Sequence, residues 1–375
     1  MKSVPNVLIM IESSRESGRK LISGIADYAH YHGPWRFNWE PLGVKRLSEA
    51  IKKNVYDGLL VRDVADLAGI NINIPVVQFS CGDQAKARHV FVTTDNATIA
   101  RKTATHFLQR GFAHFAFCGH LSKPWSDNRG EQFKDFLNDA GHDVSFFWID
   151  QLDGEVPALS DWLKRLPRPV ALLADSDDTA YDLVQTCNET GIRIPEDCAI
   201  VGVDNDPVVC GLCNPPLSSV ALDQRRAGYL AAAELDAMMK GKKVMHPFIY
   251  APVDDLIVRQ SSDMIAIDDP CVQKALLFIQ NNTDRVLLVD EVARAAGMNR
   301  RALERKFNVH FGKGIKKLSR EMRADYLEKL FRDHNLTFEL ISEQTGFSEP
   351  SHLTRFYSAI RGESPSSYRK RHLNH

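Results

Sequence analysis

No apolar run in this 375-residue chain approaches the ~20 residues that a membrane-spanning helix requires. The apolar stretch near the start is cut short by Glu12 and Arg15, and no small-residue cleavage site follows it, so it does not read as a secretory leader. Cysteine is sparse: seven residues, scattered, which fits a reducing cytoplasm better than a disulfide framework. The pair Cys210-Gly-Leu-Cys213 has no second CxxC or paired histidine motif to complete a zinc site, and reads as structural. There is no GxxxxGK[ST] phosphate loop and no HExxH spacing, and no Ser/His/Asp set can be assigned from order. Neither a metal nor a cofactor is expected. Asp175, Asp177 and Asp178 read as a solvated helix start rather than a metal cluster.

An excess of one charge is also absent: 47 Lys and Arg face 48 Asp and Glu. That balance hides a division. Residues 276–375 hold 18 of the basic and 12 of the acidic residues, a net +6, leaving −7 on residues 1–275. An acidic body with a basic C-terminal third points to two tasks on one chain. With 44% hydrophobic and 25% charged residues, the composition excludes collagen-like and wholly disordered classes.

Short apolar runs recur through the body at 6–11, 57–61, 75–79, 89–93, 114–118, 144–149, 170–174 and 198–203. Helical spacings lie between several of them, at 17–30, 96–110, 128–140, 158–166 and 178–190. Strands alternating with helices of this length predict an α/β fold with parallel sheets, and about 260 residues predict two lobes. Ligands of such sheets sit beyond the carboxyl ends of the strands. Glu12, Asp95, Asp177 and Asp204 stand at those ends, and Arg129 begins the helix after the FCG strand end. Carboxylates accept paired hydroxyl hydrogen bonds and arginine donates a planar fork, which suits a polyhydroxylated ligand. Trp125 offers an aromatic face for a sugar ring. Taken singly, each aspartate is also an ordinary helix N-cap.

The runs TTDN (93–96), GFAHFAFCG (111–119), NRGEQF (128–133), ADSDDTAYDLV (174–184), GIRIPEDCAIVGVDND (191–206) and PPLSSVALD (215–223) resemble the sugar-binding domain of LacI-type repressors. That resemblance covers roughly residues 5–260. It implies a periplasmic-binding-protein-like sensor of two α/β lobes joined by three crossings, with ligand contacts at Asp95, Arg129, Ser176 or Asp177, and Asp204. After the PPLSSV-type strand, where the family often has a polar contact, stands Leu222. The DNA headpiece of that family has no counterpart before residue 5, so a DNA reader is expected elsewhere.

Residues 261–270, polar and ending in Pro270, read as a linker between a sensor (1–260) and an all-α region (271–375). Residues 289–307 have the form helix, Gly turn, helix: Val292, Ala295 and Ala296 precede Gly297, Asn299 suits an N-cap, and Leu303 and Phe307 face inward. Arg300, Arg301, Glu304 and Arg305 are left outside. The pattern recurs at 339–357, with Ile341 before Gly346, Ser348 as a cap, Leu353 and Phe356 inward, and Ser351, His352, Thr354 and Arg355 outward. One helix-turn-helix is a weak signal, but two in a basic segment are a strong one. Residues 314–333 between them read as one helix of ~30 Å, close to one turn of B-DNA.

Residues 270–371, closing in RFYSAIRGESPSSYRKR (355–371), resemble the AraC-type DNA-binding domain. The resemblance implies base or phosphate contacts at Arg301, Glu304 and Arg305, and at Ser351, Thr354 and Arg355. Arg grips guanine bidentately, and Glu accepts from cytosine N4. Lys316, Lys317, Arg369 and Lys370 are expected to meet phosphate or solvent. Pro350 departs from the usual polar residue.

The order of the two modules resembles bacterial xylose operon regulators. It implies a cytoplasmic, sugar-responsive transcription activator that is not an enzyme. Its implied partners are D-xylose or another pentose, operator DNA, RNA polymerase and a second copy of the chain. The rivals are an enzyme acting on a small polar metabolite, with the carboxylates as acid and base, and a sugar-binding protein with an inert helical tail.

Overall fold

Unbroken apolar runs become strands because a strand covered on both faces has no polar side to present. The computed structural model describes residues 4–41, 55–62, 72–80, 88–151, 156–244, 247–267, 269–333 and 335–373. Six parallel strands form the first sheet: β1 (Asn6–Met10), β2 (Arg36–Trp39), β3 (Gly58–Val61), β4 (Val76–Gln78), β5 (His89–Thr94) and β11 (Phe248–Ala251). Their order is β11-β5-β4-β3-β1-β2. The second sheet contains β6 (His114–Gly119), β7 (Val144–Trp148), β8 (Val170–Ala174), β9 (Cys198–Asp204), β10 (Ser218–Leu222) and β12 (Val253–Ile257), in the order β12-β10-β9-β8-β6-β7. Among the described strands only β12 runs antiparallel to its neighbour. Each expected strand run has its counterpart here. Of the four strands without a run of their own, β10 is implied by the family resemblance, and β2, β11 and β12 lie at sheet edges, where one side is open and the apolar run is broken.

The chain passes between the sheets three times. The first passage follows β5 through α2 (Asn96–Gln109) to β6. The second follows β10 into α7 (Gln224–Met239), and the third runs from β11 through Pro252 to β12. Helix α7 belongs to the first sheet's core, with Ala227, Ala231 and Leu235 packed among Val7, Ile9, Ile25 and Val90. It lies against α1 (Glu16–His32) at backbone distance. A Cβ on Gly24 would sit 1.8 Å from the Arg225 carbonyl oxygen, and one on Gly228 2.1 Å from that of Leu21. The second sheet is flanked by α3 (Pro124–Asp139), α4 (Val156–Arg165), α5 (Asp177–Thr190) and α6 (Pro207–Leu212).

The chain divides into two units. The first is Met1–Ala104 with His114–Asp263, and the second is Thr105–Ala113 with Met264–His375. Several residues read as linker are anchored. Ser261 and Ser262 are buried on the second sheet, where the Ser261 hydroxyl donates to Ile200 O at 2.7 Å, and Ile267 is buried among the C-terminal helices. Asp268 lies outside the described residues.

The second unit is helical: α8 (Pro270–Gln280), α9 (Val289–Ala295), α10 (Arg300–Phe311), α11 (Ile315–Phe331), α12 (Phe338–Gln344), α13 (Pro350–Arg361) and α14 (Pro365–Leu373). It contains two cores. Val272, Leu276, Val292, Leu303 and Phe307 fill one, and Ile341, Leu353, Tyr357 and Tyr368 the other. Helix α11 serves both. Its Ile315, Leu318 and Met322 enter the first core, and its Ala324, Leu327 and Phe331 the second. At ~100° per residue the second stripe is turned roughly 180° from the first, so the two halves of one helix bury opposite faces.

Two inward assignments and one cap change. Ala295 is exposed and Ala293 is buried in its place. Phe356 is only partly covered, whereas Tyr357, four residues after Leu353, is fully buried. Ser348 does not cap α13: Glu349 is the N-cap residue with Pro350 behind it, and the Ser348 hydroxyl pairs with His352 Nδ1 at 2.7 Å. Asn299 does cap α10, accepting from Ala302 N at 2.9 Å. Arg369, expected to face phosphate or solvent, instead donates to Phe331 O at 3.0 Å and stacks 4.2 Å from the Phe338 ring.

Candidate functional site

The carboxyl ends of strands in the first unit border a narrow cleft that is open to solvent. Arg15, Glu16, Ser17 and Lys20, where α1 begins, line one side. Asp177, Asp178, Asp204 and Asp206 line the other, and Gln224 stands at the second passage between sheets. The two sides already touch: Arg15 meets Asp178 at 2.6 Å, and Glu16 N donates to Asp206 Oδ2 at 3.3 Å.

Asp204 is the carboxylate in this cleft without a commitment. It ends β9 with φ +115°, which side-chain-bearing residues rarely adopt, and its carboxylate makes no hydrogen bond or ion pair among the described residues. Burial raises its pKa, against the fields of Arg129, Arg62 and Arg15. A carboxylate drawn partly out of water with both oxygens unused is a ready acceptor for hydroxyl groups.

Asp177 also borders the cleft, but its oxygens are occupied. Oδ1 takes the Ser219 hydroxyl at 2.5 Å, and Oδ2 takes Asp206 N at 2.8 Å and Cys210 Sγ at 3.5 Å. Burial and the neighbouring charge of Asp204 push its pKa up to about 8. Cys210 and Cys213 are buried beside it. Burial raises both thiols, Cys213 to about 11, which leaves them protonated and inert.

The remaining expected ligand residues are engaged within the protein. Arg129 is buried, donating through Nε to Asn96 Oδ1 at 3.0 Å, through Nη2 to Thr94 Oγ1 at 3.2 Å and through Nη1 to Asp175 O, with the Trp125 ring 5.3 Å away. Asp95 caps α2, accepting from Thr98 N at 3.0 Å and from the Thr98 hydroxyl at 2.7 Å. Ser176 caps α5, accepting from Thr179 N, while its hydroxyl donates to Asp175 at 2.9 Å. Burial alone would raise Asp175, but hydrogen bonds from His120, Ser126 and Thr179 outweigh it and hold its pKa at about 2. Glu12 is held by Arg62 at 2.8 Å.

Of the seven residues expected at a ligand, Asp177 and Asp204 line the cleft described here. The cleft also holds Arg15, Lys20, Asp206 and Gln224, and the field of Arg62 reaches Asp204; sequence reading singled out none of these five. Arg62 directly follows β3, while Asp206 and Gln224 lie just beyond the ends of β9 and β10, so the strand-end rule applied to every strand would have found all three. No such signal marks Arg15 and Lys20.

In the second unit the outward residues of α10 and α13 are accessible. Arg301, Arg305, Thr354 and Arg355 are exposed, and their side chains make no hydrogen bond or ion pair among the described residues. Arg300 pairs with Glu304 at 3.4 Å and Asp290 at 3.7 Å, and Ser351 donates to Glu349 at 3.1 Å. Surface pairs of this kind are weak and exchange readily for a ligand. The second helix-turn-helix is fixed from beneath by buried Arg323 of α11. Its guanidinium lies 4.0 Å from the Phe347 ring and 5.1 Å from that of Phe356, and donates to Thr345 O at 2.5 Å. Burial lowers its pKa to about 10, which still leaves it charged.

Residues 104–262 match the periplasmic binding protein-like domain family, and residues 292–371 match a helix-turn-helix domain family. The xylose operon regulatory protein of Escherichia coli K12 is 25% identical, the match spanning 97% of this chain and 96% of that protein. Its Haemophilus influenzae namesake is 27% identical over 76% of this chain and 75% of its own. Among solved structures, the xylose-binding transcription activator XylR has the same fold, with a TM-score of 0.61 at 22% identity over 98% of both chains. A cellobiose complex of the transcriptional regulator CelR gives a TM-score of 0.58 at 21% identity, covering 68% of this chain and 84% of the other.

Proposed function

We propose that this chain, which joins a periplasmic binding protein-like domain to a helix-turn-helix domain, is a transcription regulator whose DNA binding answers to a pentose, D-xylose in the first instance. The observation that carries the reading is the order of its parts. A two-lobed cleft with an uncommitted carboxylate precedes two helix-turn-helix motifs, and a relative matching 97% of the chain is a xylose operon regulatory protein. Sugar hydroxyls satisfy Asp204 and draw on the arginines facing it, which favours the arrangement in which Arg15 meets Asp178 across the cleft. The sugar biases that equilibrium only by its difference in affinity for the two arrangements. We take Arg301, Arg305 and Arg355 as the principal base or phosphate contacts, and a homodimer that activates through RNA polymerase in the cytoplasm as the working form.

The test is a thermal-shift panel of pentoses and hexoses on the full-length protein. D-xylose at 100 times its Kd is expected to add about 2.7 kcal/mol of stability, with hexoses giving less. No shift with any pentose would refute the effector. Arg305→Ala and Arg355→Ala are each expected to weaken operator binding by about 1–3 kcal/mol, measured by fluorescence anisotropy at fixed salt. Unchanged affinity in both would remove α10 and α13 from the DNA surface.

A further inference from the structure

Helix α2 begins beside Arg129, which donates to Asp175 O two residues before the cleft residue Asp177, and its end belongs to the other unit: its first residues are part of the sensor, and Thr105–Ala113 go with the C-terminal helices. Both of its ends are tied by specific polar contacts. At the first turn, Asn96 is buried and fully engaged. Its Oδ1 accepts from Arg129 Nε at 3.0 Å and from the Thr94 hydroxyl at 2.9 Å, and its Nδ2 donates to Trp125 O at 3.1 Å and Asn128 Oδ1 at 2.9 Å. The start of α2 is therefore fastened to Trp125, Asn128 and Arg129 of α3, two of which were expected to meet the ligand.

At the last turn, Gln109 Nε2 donates to Asp325 Oδ2 of α11 at 2.5 Å. The other oxygen of Asp325 accepts from Arg361, the last residue of α13, whose Nε donates to buried Glu328 at 2.7 Å. Immediately beyond, Arg110 O accepts from Ala266 N at 2.8 Å. Gly111 (φ +80°) lies so close to Ile267 that a Cβ would be 2.4 Å from Cγ1, and Ile267 is buried in the core of the first helix-turn-helix. The end of α2 thus holds both reading motifs, one through Asp325 and Arg361, the other through Ile267.

We infer that α2 carries the state of the cleft to the DNA reader, with Gln109 as the positioning residue that joins its end to Asp325 and so to the end of the second reading helix. The inference rests on the sugar-responsive reading above. A 14-residue helix spans about 21 Å and cannot be stretched without breaking its i→i−4 hydrogen bonds, so a displacement of Asn96 reaches Gln109 nearly undiminished. Asp325 has separate oxygens for Gln109 and Arg361. Movement of Gln109 therefore re-aims the carboxylate that anchors α13 without unpacking either core.

The experiment compares the full-length wild type with Gln109→Ala and with Gln109→Glu, which sets like charges against each other at Asp325. Operator affinity is measured by anisotropy with and without D-xylose, and sugar binding by thermal shift. The wild type is expected to change its operator affinity with sugar by a factor in the range of about 5–150. In both variants that ratio falls towards one, while the sugar-induced thermal shift and the sugar-free operator affinity stay as in the wild type. Variants that keep the wild-type ratio overturn the inference. So do variants that lose affinity equally with and without sugar, since Gln109 would then be only a prop of the reader. A wild type blind to D-xylose would overturn the effector reading and this inference with it, a result distinct from a responsive wild type whose variants respond equally.

Discussion

Asp204→Ala is expected to abolish the D-xylose-induced rise in melting temperature and to weaken sugar binding roughly 100-fold or more. A hydrogen bond from a hydroxyl to a charged acceptor contributes about 1.5–3 kcal/mol, and a carboxylate with both oxygens unused can take two of them. The sugar-free variant is expected to melt no lower than the wild type, because the side chain removed is a desolvated charge with no hydrogen-bond partner to lose. That asymmetry separates a binding role from a structural one. A full sugar response in the alanine variant would take Asp204 out of the site. A collapse of sugar-free stability would mean that its carboxylate supports the fold.

The second large effect concerns Asp177 and is read as stability against pH. An ordinary aspartate loses its proton near 3.8, whereas burial and Asp204 raise Asp177 to about 8. Between those values the native state keeps a proton that the unfolded chain has released. Stability therefore falls as pH rises from about 4 to about 8, and levels off above that. Holding this side chain ionised in the fold costs on the order of 5 kcal/mol. A carboxamide in its place would mimic the protonated acid, accepting from Asp206 N with its oxygen and donating to Ser219 with its amide. Asp177→Asn is thus expected to melt roughly 10 °C above the wild type at pH 8, with the advantage shrinking towards pH 4. An offset independent of pH would show that the carboxyl does not titrate as described. Because the charge of Asp204 is one of the two causes, Asp204→Ala should itself lower the pKa of Asp177 and flatten the wild-type decline.

The strand-end rule follows from the way a parallel sheet delivers every loop at its carboxyl edge to the same place, whatever the sequence of the loop. It brought Glu12, Asp95, Asp177 and Asp204 to one end of the two sheets without any knowledge of how the sheets face each other. It had no means of telling which carboxylates would be used up internally. Asp95 spends its oxygens on Thr98, and Asp177 on Ser219 and Asp206 N, while Asp204 spends none among the described residues. The partners of Asp177 lie 29 and 42 residues away. In the helical region, the same blindness to distant neighbours put Phe356 inside in place of Tyr357: on a helix both lie close to the inward stripe. Arg369 looked like a surface cation because nothing in sequence places Phe338 beneath its guanidinium group, and Arg323, buried against Phe347, drew no notice for the same reason.

From its sequence alone this protein is already two parallel sheets followed by a pair of helix-turn-helix motifs, since apolar period, turn residues and caps act within about a dozen positions of one another. Tertiary structure alone decided which carboxylate stays free, which arginines are buried on aromatic rings, and that one helix belongs to both units. Those outcomes depend on groups far apart in the chain, and the energy of a charge is set by whichever groups and however much water fold around it.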